Sequence, residues 1–418
     1  MTSVLPNEIN YTKLQAPVPS GTNNISVVSL PSNGSSFPSS SIIQIDLVSR
    51  GYLVPNSMYI RYKATTTGTS ALMKGTPVYT PFLKSEVICG SQVIEVIQNY
   101  HQIANFIVNT KQNIGQKLGR QFNYGYLDAT SAPSITTMNG RTLANSDAYF
   151  VSAPLFNILT NCETFIPLEL IPSLRIQLTL DTFSNMVASG TATTFTISNF
   201  ELCYDIVNFS GEVNSMVKSM SDSNGNITIK SQGYASAGQT LASGTTGTVE
   251  LVYNFRFSSL KSVVANIGTA TSNTFMNSVD ATSANGSYAF IVGGQQYPQR
   301  EISTVLNKSG VLSELVSFWG SQNEIDSQNF SIATQEFVIN SGGTTTYQVP
   351  GKFWVGTNLE SLSSSGVLLS GISTNNSPIS FRINTGTATQ EAHTIQLICL
   401  YDALLQINVD TQQLVVKQ

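Results

Sequence analysis

Two histidines, His101 and His393, have the widest chemical range in this sequence, because imidazole acts near neutral pH as base, acid or metal ligand. A Ser-His-Asp triad also needs an acidic residue and a nucleophile on a sharp turn, and no Gly-x-Ser-x-Gly motif is present. Neither histidine has a companion ligand at helical or strand spacing, so the pattern indicates no metal site. The sequence therefore predicts histidines that are structural or exposed.

Cysteine thiols are the second candidate chemistry. The four cysteines are Cys89, Cys162, Cys203 and Cys399, and none of them lies in a C-x-x-C pair. A disulfide framework is not expected at this density, and Cys203 and Cys399 both fall on predicted closing strands. The sequence predicts buried, inert thiols that pack as small apolar side chains.

Paired carboxylates could work as acid and base, as they do in glycoside hydrolysis. Asp205 and Asp402 each follow a tyrosine in similar segments, but we expect them in separate domains, marking a turn or a strand edge. Gly293-Gly294 lacks the spacing of a phosphate-binding loop and predicts a turn. Trp319 and Trp354 are predicted core or interface aromatics. The sequence thus offers no active site and implies no cofactor.

The composition limits the classes of partner. Only 11% of the 418 residues are charged, against about 25% in an ordinary soluble domain, and the net charge is −4. Residues 1–40 contain one lysine and no arginine, so direct sequence-specific nucleic-acid binding is not expected. The start lacks signal-peptide features and no apolar run could span a bilayer, which predicts a soluble protein made without secretion. Few charges mean little long-range repulsion, which suits a subunit that packs against its own copies.

Alternating polarity predicts the elements that must position these residues. Ile43, Ile45 and Leu47 interleave with polar residues, and residues 174–180 alternate almost without exception, which is typical of half-buried strands. Residues 100–111 and 310–320 predict short helices at comparable places in the two halves. About eight strand candidates per half predict an all-β chain of two tandem jelly-roll β-sandwiches, with one or two short helices in loops.

The same order of segments occurs twice, about 204 positions apart. Residues 45–48 return as 249–252, 90–92 as 294–296, 149–151 as 353–355, 172–176 as 378–383, and 202–205 as 399–402. Each match is short, but all of them follow one order at nearly one offset. A repeat of this length is a whole domain and not a solenoid unit. The duplication indicates a building block more than a catalyst.

The repeat and the loop-rich stretches together predict a domain division. Residues 1–40, rich in Ser, Pro and Asn, form an extended N-terminal arm, and residues 41–209 form the first jelly roll. Residues 210–226 form a linker, residues 227–410 the second jelly roll, and residues 411–418 a C-terminal tail.

Segments near the end of each half resemble a known family. Residues 165–170 and 172–178 look like the region before the last strands of double jelly-roll capsid proteins, and residues 353–360 and 369–374 are similar to their closing region. This family contains the major capsid proteins of adenovirus-like, polinton-like and virophage-type DNA viruses and of some tailless bacteriophages. The chain is compact for the eukaryotic members, so its outward insertions must be short.

The resemblance implies a structural subunit of an icosahedral capsid. Three chains would form a homotrimer whose six jelly rolls make a pseudo-hexameric block. Such blocks would tile the virion shell against neighbouring capsomers, penton and minor capsid proteins, after assembly inside the host cell. Loops 65–81 and 272–287 would face outward, where a host receptor could bind, and the arm would lie beneath the shell.

Two other functions stay open at this stage. A viral attachment or vertex protein, or a lectin-like protein of tandem β-sandwiches, would present clustered aromatic residues on one loop end. A hydrolase on a β-sandwich would require two carboxylates in one cleft, which the scattered acidic residues do not suggest.

Overall fold

The computed structural model describes most of the chain. The described residues are 21–67, 70–126, 141–144, 148–190, 193–269, 278, 280–282, 285–304, 306–320, 352–361, 369–387 and 392–418. Within these ranges the chain is mainly strand, with five short α-helices. None of the helices in these ranges is long and apolar enough to cross a membrane.

The first half contains fourteen strands and three helices within the described residues. The strands are β1 (Asn23–Ser29), β2 (Ser36–Pro38), β3 (Ile42–Asp46), β4 (Tyr52–Leu53), β5 (Tyr59–Thr67), β6 (Ser70–Met73), β7 (Phe82–Cys89), β8 (Gln92–Gln98), β9 (Arg141–Ala144), β10 (Ala148–Pro154), β11 (Ile166–Pro167), β12 (Leu174–Leu180), β13 (Val187–Gly190) and β14 (Thr194–Asn208). The helices are α1 (Tyr100–Thr110), α2 (Ile114–Gly119) and α3 (Phe183–Met186).

Within the described residues, the second half repeats this plan with fewer additional strands. Its helices are α4 (Gly211–Ser219) and α5 (Lys308–Ser317). Its strands are β15 (Asn226–Leu241), β16 (Thr248–Tyr253), β17 (Leu260–Thr269), β18 (Ser287–Val292), β19 (Gln295–Ser303), β20 (Val355–Asn358), β21 (Ile379–Asn384), β22 (His393–Asn408) and β23 (Gln413–Lys417).

Each half is a sandwich of two antiparallel sheets with the same strand order. In the first half, β14 lies between β1 and β2 on one side and β5 on the other, and β10 pairs with β5. The facing sheet has the order β3-β12-β7-β8. In the second half the two sheets are β15-β22-β17-β20 and β16-β21-β18-β19. This four-plus-four order is that of a jelly roll, so the predicted fold class is confirmed.

Strand register confirms that the repeat in the sequence is structural. Ile60 pairs with Leu202 in the first half, and Val263 pairs with Cys399 at the corresponding place in the second. The hairpins β7-β8 and β18-β19 each turn through a glycine with positive φ, Gly90 at 59° and Gly293 at 61°. The structure therefore aligns Gly90 with Gly293, one residue from the sequence match.

Alternation along the strands decides which side chains form the core. The core contacts of β12 come from every second residue, because residues 174–180 are alternately buried and half-buried. The helices predicted at 100–111 and 310–320 exist as α1 and α5, and three further short helices accompany them within the described residues.

Three details of the predicted division differ from the structure. β1 and β2 lie inside the predicted arm and pair with β14, because Ile25, Val27 and Phe37 face the core. The predicted linker contains α4, and the predicted tail contains β23, which extends the sheet beside β22. Residues 1–20 of the arm lie outside the described residues.

The loop predicted to face outward at residues 65–81 is largely internal. β6 pairs with β9 and β13 in a small three-stranded sheet, and Val78 and Tyr79 are fully buried. Apolar side chains in this segment supply the reason, since leaving them in water is unfavourable. The second predicted outward loop, residues 272–287, falls mostly outside the described residues.

Candidate functional site

The two histidines are placed as parts of the core. His101 lies in α1, where its Nδ1 donates to the carbonyl oxygen of Phe82 at 3.0 Å. Burial lowers the pKa of His101 below its usual value, which favours the neutral ring. His393 begins β22 and is also buried. Within the described ranges, no group of three or more His, Cys, Asp or Glu side chains gathers where it could hold a metal ion.

The four cysteines are buried and free. Cys203 lies on β14 and Cys399 on β22, as the repeat predicted. Burial raises the pKa of Cys162 to about 12 and raises the pKa of Cys399 as well. Thiols held in the protonated form are poor nucleophiles, so Cys162 and Cys399 act as packing groups.

Asp205 and Asp402 do not share a site, and the expected turn or strand edge is wrong for both. Each lies inside the central strand of its main sheet. Asp205 accepts a hydrogen bond from Ser26 Oγ at 2.5 Å, which fastens β1 to β14. Asp402 is fully buried and accepts from Ser259 Oγ at 2.7 Å.

Asp402 belongs to a charged cluster that sequence reasoning missed. Lys261 Nζ lies 3.2 Å from Glu360 Oε1 and 3.9 Å from Asp402 Oδ1. The lysine and glutamate side chains are 14% and 15% exposed, so the three charges are largely shielded from water. No spacing rule links residues so far apart in the chain, and only the sheet brings them together.

The junction between the sandwiches is an aromatic contact centred on α1. The Phe106 ring lies 5.2 Å from that of Phe318, 6.0 Å from Trp319 and 5.5 Å from Trp354, centroid to centroid. Trp319 Nε1 also donates to Thr110 Oγ1 at 2.9 Å. The prediction of core or interface tryptophans is confirmed. Such buried aromatic contacts fix the two halves relative to each other.

A buried carboxyl group supports the same junction. Glu95 on β8 accepts from the backbone N–H of Ile158 at 2.7 Å and of Tyr234 at 3.4 Å. Burial raises the pKa of Glu95 to about 8. Nearby, Ser236 Oγ on β15 donates to the Gln98 carbonyl at 2.6 Å. The strand β15 of the second sandwich therefore docks on β8 of the first.

Residues equivalent to this junction are exposed on the first sandwich. Val28 of β1 pairs with Cys203, and Tyr234 of β15 pairs with Leu400. Because Cys203 and Leu400 occupy the same place in their sandwiches, Val28 is the counterpart of Tyr234. Tyr234 is 3% exposed, whereas Val28 is 50% exposed and the nearby Leu30 is 65% exposed. One half has its docking partner within the chain, and the equivalent apolar surface of the other half is open.

The two halves also differ in the exposure of an aromatic residue at the strand that follows the helix in each half. Trp354, which packs on Phe106, is 1% exposed, and its counterpart Phe150 in β10 is 67% exposed. Aromatic residues are enriched in interaction surfaces, so an aromatic side chain this exposed indicates one here. We call Val28, Leu30 and Phe150 the open junction surface.

The two fused sandwiches, each with the eight-stranded order, make this chain a double jelly-roll protein. Solved structures of this fold with which it aligns over nearly its whole length are viral capsid proteins. The Faustovirus major capsid protein has a TM-score of 0.65 and 8% identity, over 97% of this chain and 93% of that one. The PBCV-1 virus capsid model has a TM-score of 0.61 and 10% identity, over 95% and 97%.

A third similar structure is the mavirus major capsid protein, with a TM-score of 0.53 and 11% identity, covering 100% of this chain and 96% of that one. At identities this low, the structural similarity shows that these proteins share the fold of this chain. Neither a family model nor a curated protein sequence matches this chain.

Proposed function

We propose that this chain is a structural subunit of an icosahedral viral capsid, and that it works as a pseudo-hexameric homotrimer. The observation that carries the proposal is the duplicated docking surface, closed within the chain in one copy and open in the other. The full-length likeness to viral major capsid proteins supports the same function.

Symmetry explains why an open junction surface leads to a trimer. A head-to-tail contact forms a closed ring when its rotation divides a full turn, and otherwise it forms an open filament. If the contact between chains copies the contact within a chain, sandwiches of the two kinds alternate around one axis. We infer that each contact turns the next sandwich by a sixth of a full turn, so that three chains with six sandwiches close as a trimer with a hexagonal outline.

The contact between chains follows from the correspondence between elements of the two sandwiches. Within the chain, β8 and α1 of the first sandwich contact the second. Their counterparts in the second sandwich are β19 and α5, and every residue of β19 is exposed or half-buried. We therefore assign β19 and α5 of one chain as the surface that covers Val28, Leu30 and Phe150 of the next chain.

Further partners follow from assembly of such blocks. Trimers that tile a shell contact neighbouring capsomers, and a closed icosahedral shell also requires penton and minor capsid proteins at special positions. The protein would then be located in the virion, with loops at one end facing outward, where a host receptor could bind. The net charge of −4 argues against a role in packaging nucleic acid by direct contact.

We propose a revised domain division on the basis of the sheets. The first sandwich begins at β1 and ends with β14, the segment around α4 connects the halves, and the second sandwich runs from β15 to β23. The predicted arm is then confined to the residues before β1.

A structural role is proposed over the two alternatives. An attachment, vertex or lectin-like protein is not favoured, because the similar structures are shell subunits that match along the whole chain. A hydrolase is not proposed, because Asp205 and Asp402 lie in separate sheets.

The test is the native mass of the 45.0 kDa chain, measured by light scattering over a range of concentrations. We expect the mass of three chains, with larger assemblies at high concentration. A chain that stays monomeric at high concentration contradicts the proposal, and glycan binding would then be the next assay.

A further inference from the structure

The charged cluster in the second sandwich has the geometry of a reaction site. Lys261 lies on β17, Asp402 on the adjacent β22, and Glu360 two residues after the end of the other neighbour, β20. Leu359 N–H donates to the Lys261 carbonyl at 2.7 Å, which holds Glu360 beside the lysine. The amine therefore contacts two carboxyl groups within one sheet.

A strand irregularity aims the lysine at this site. The β17-β22 register shifts between Leu260 and Ser262, so Lys261 is the additional residue of a bulge. Bulges redirect a side chain out of the regular alternation of a strand. Lys261 has only 14% of its side chain exposed, although a lysine at a strand surface would ordinarily extend into water.

The two oxygens of Asp402 have different surroundings. Oδ2 accepts three hydrogen bonds, from Ser259 Oγ at 2.7 Å, Ser370 N–H at 2.9 Å and Ser370 Oγ at 3.2 Å. Oδ1 accepts no hydrogen bond from the described residues, and it lies on the side of the lysine amine. Converging donors on one oxygen are the arrangement that stabilises the negative charge of a tetrahedral intermediate.

We propose that Lys261 and Asp402 join in an intramolecular isopeptide bond, and that Glu360 transfers the protons. The amine attacks Cγ of Asp402, and the electrons of the C=O bond move onto Oδ2, where the three donors hold them. Glu360 relays two protons from the nitrogen to Oδ1, which leaves as water when the C=O bond forms again. Ammonium and carboxylate become one amide and one water, so no oxidant or cofactor is required.

Burial makes this condensation favourable in the folded chain. In water the solvated ammonium and carboxylate are favoured over the amide, but a site that holds the reacting groups in contact and excludes water favours the bond. The product would link the central strand β22 covalently to β17. A bond between Lys261 and Asp402 closes a long covalent loop, which restricts the unfolded chain. The sandwich would therefore resist unfolding.

The experiment is the intact mass of the full chain, purified and then denatured. We expect a mass lower than the sequence mass by one water molecule. We also expect a branched tryptic peptide that contains Lys261 and Asp402, because trypsin does not cleave after an acylated lysine. On a denaturing gel the linked chain should migrate faster than an unlinked one.

Two variants assign the roles, and a third is a matched control. Lys261→Met removes the nucleophile and Glu360→Gln removes the proton carrier, so both should have the full sequence mass. Lys230→Met should keep the mass deficit, because Lys230 pairs with the exposed Glu163 at 3.3 Å, away from the cluster. Because the bond forms only in the folded chain, circular dichroism before denaturation must show that each variant has folded like the unmutated chain.

A natural chain with the full sequence mass and an unmodified Lys261 peptide overturns the proposal. The cluster would then be a buried ion pair only. A mass deficit that persists in Lys261→Met also contradicts it, because the lost water would come from another site. None of these outcomes depends on trimer formation, so the bond is tested separately from the capsid function.

Discussion

At the scale of single residues, Glu95 and Trp354 have the clearest consequences for this protein. Both are buried at the contact between the sandwiches. Glu95 accepts a hydrogen bond from Tyr234 across the contact, and Trp354 packs on Phe106 of α1. A few side chains thus form the contact, and removing one of them should change the free energy of unfolding measurably. Their counterparts on the open junction surface should matter only when chains associate.

Replacing Glu95 by Gln should remove a pH dependence of stability. The pKa of Glu95 is raised from 4.5 to about 8 in the folded chain, so the folded state keeps a proton that the unfolded state loses. The free energy of unfolding should therefore decrease as pH rises from 4.5 through 8, and the decrease should be complete above that pH. Chemical denaturation at several pH values measures the slope, which Glu95→Gln should flatten.

Glu163→Gln is the matched control for this experiment, because its side chain at the same junction is 60% exposed. It should leave the slope unchanged. An unchanged slope in Glu95→Gln would mean that the Glu95 carboxyl is ionised in the folded protein, which contradicts a neutral carboxyl group at the junction.

Trp354→Ala should destabilise the chain by about 3–5 kcal/mol, because it leaves a cavity against Phe106. The control Phe122→Ala removes a ring that is 55% exposed and should change stability by about 0.5 kcal/mol or less. Thermal or urea unfolding followed by circular dichroism measures both. Equal effects of the two variants would contradict a tight junction.

At the scale of elements, alternation predicted the main strands, because a half-buried strand leaves a period of two in the sequence, and apolar residues at helical spacing predicted α1 and α5. These patterns missed β1 and β2, whose few apolar residues are surrounded by Ser and Asn, and they missed α4, which has no buried residue. The core position of residues 65–81 also escaped, since a turn-rich composition does not reveal packing between sheets.

The candidate sites divide in the same way. The exposure of Phe150 gains meaning only through its equivalence to Trp354, and the repeat in the sequence already aligned the two. The cluster of Lys261, Glu360 and Asp402 could not be predicted, because neighbouring strands of a jelly roll come from distant parts of the chain. Contact between these residues is a property of the topology.

Phe150→Asp should weaken association between chains while the fold of each chain persists. A charge at the centre of an apolar contact must be desolvated without a partner, which should weaken the trimer by about tenfold or more. Sedimentation velocity measures the trimer fraction, and circular dichroism checks the fold. Met220→Asp is the control, since Met220 is 75% exposed at the end of α4 and lies outside the open junction surface. Equal trimer fractions in the two variants would contradict the assignment.

At the scale of the whole molecule, few charges and a duplicated domain fit one mode of assembly. Only 11% of the residues are charged, so contacts between subunits rest mainly on apolar burial. Screening by salt acts on charge pairs and hardly on apolar contacts. We therefore expect the trimer fraction to change little between low and high salt, as measured by light scattering. Dissociation in salt would indicate contacts dominated by ion pairs.

The central claim is that the contact between chains copies the contact within the chain. The most direct measurement is electron microscopy of purified particles, averaged in projection along their symmetry axis. We expect a particle of three chains with a hexagonal outline and six similar lobes around the axis. Single elongated two-lobed particles, or rings with a number of lobes other than six, would contradict the claim.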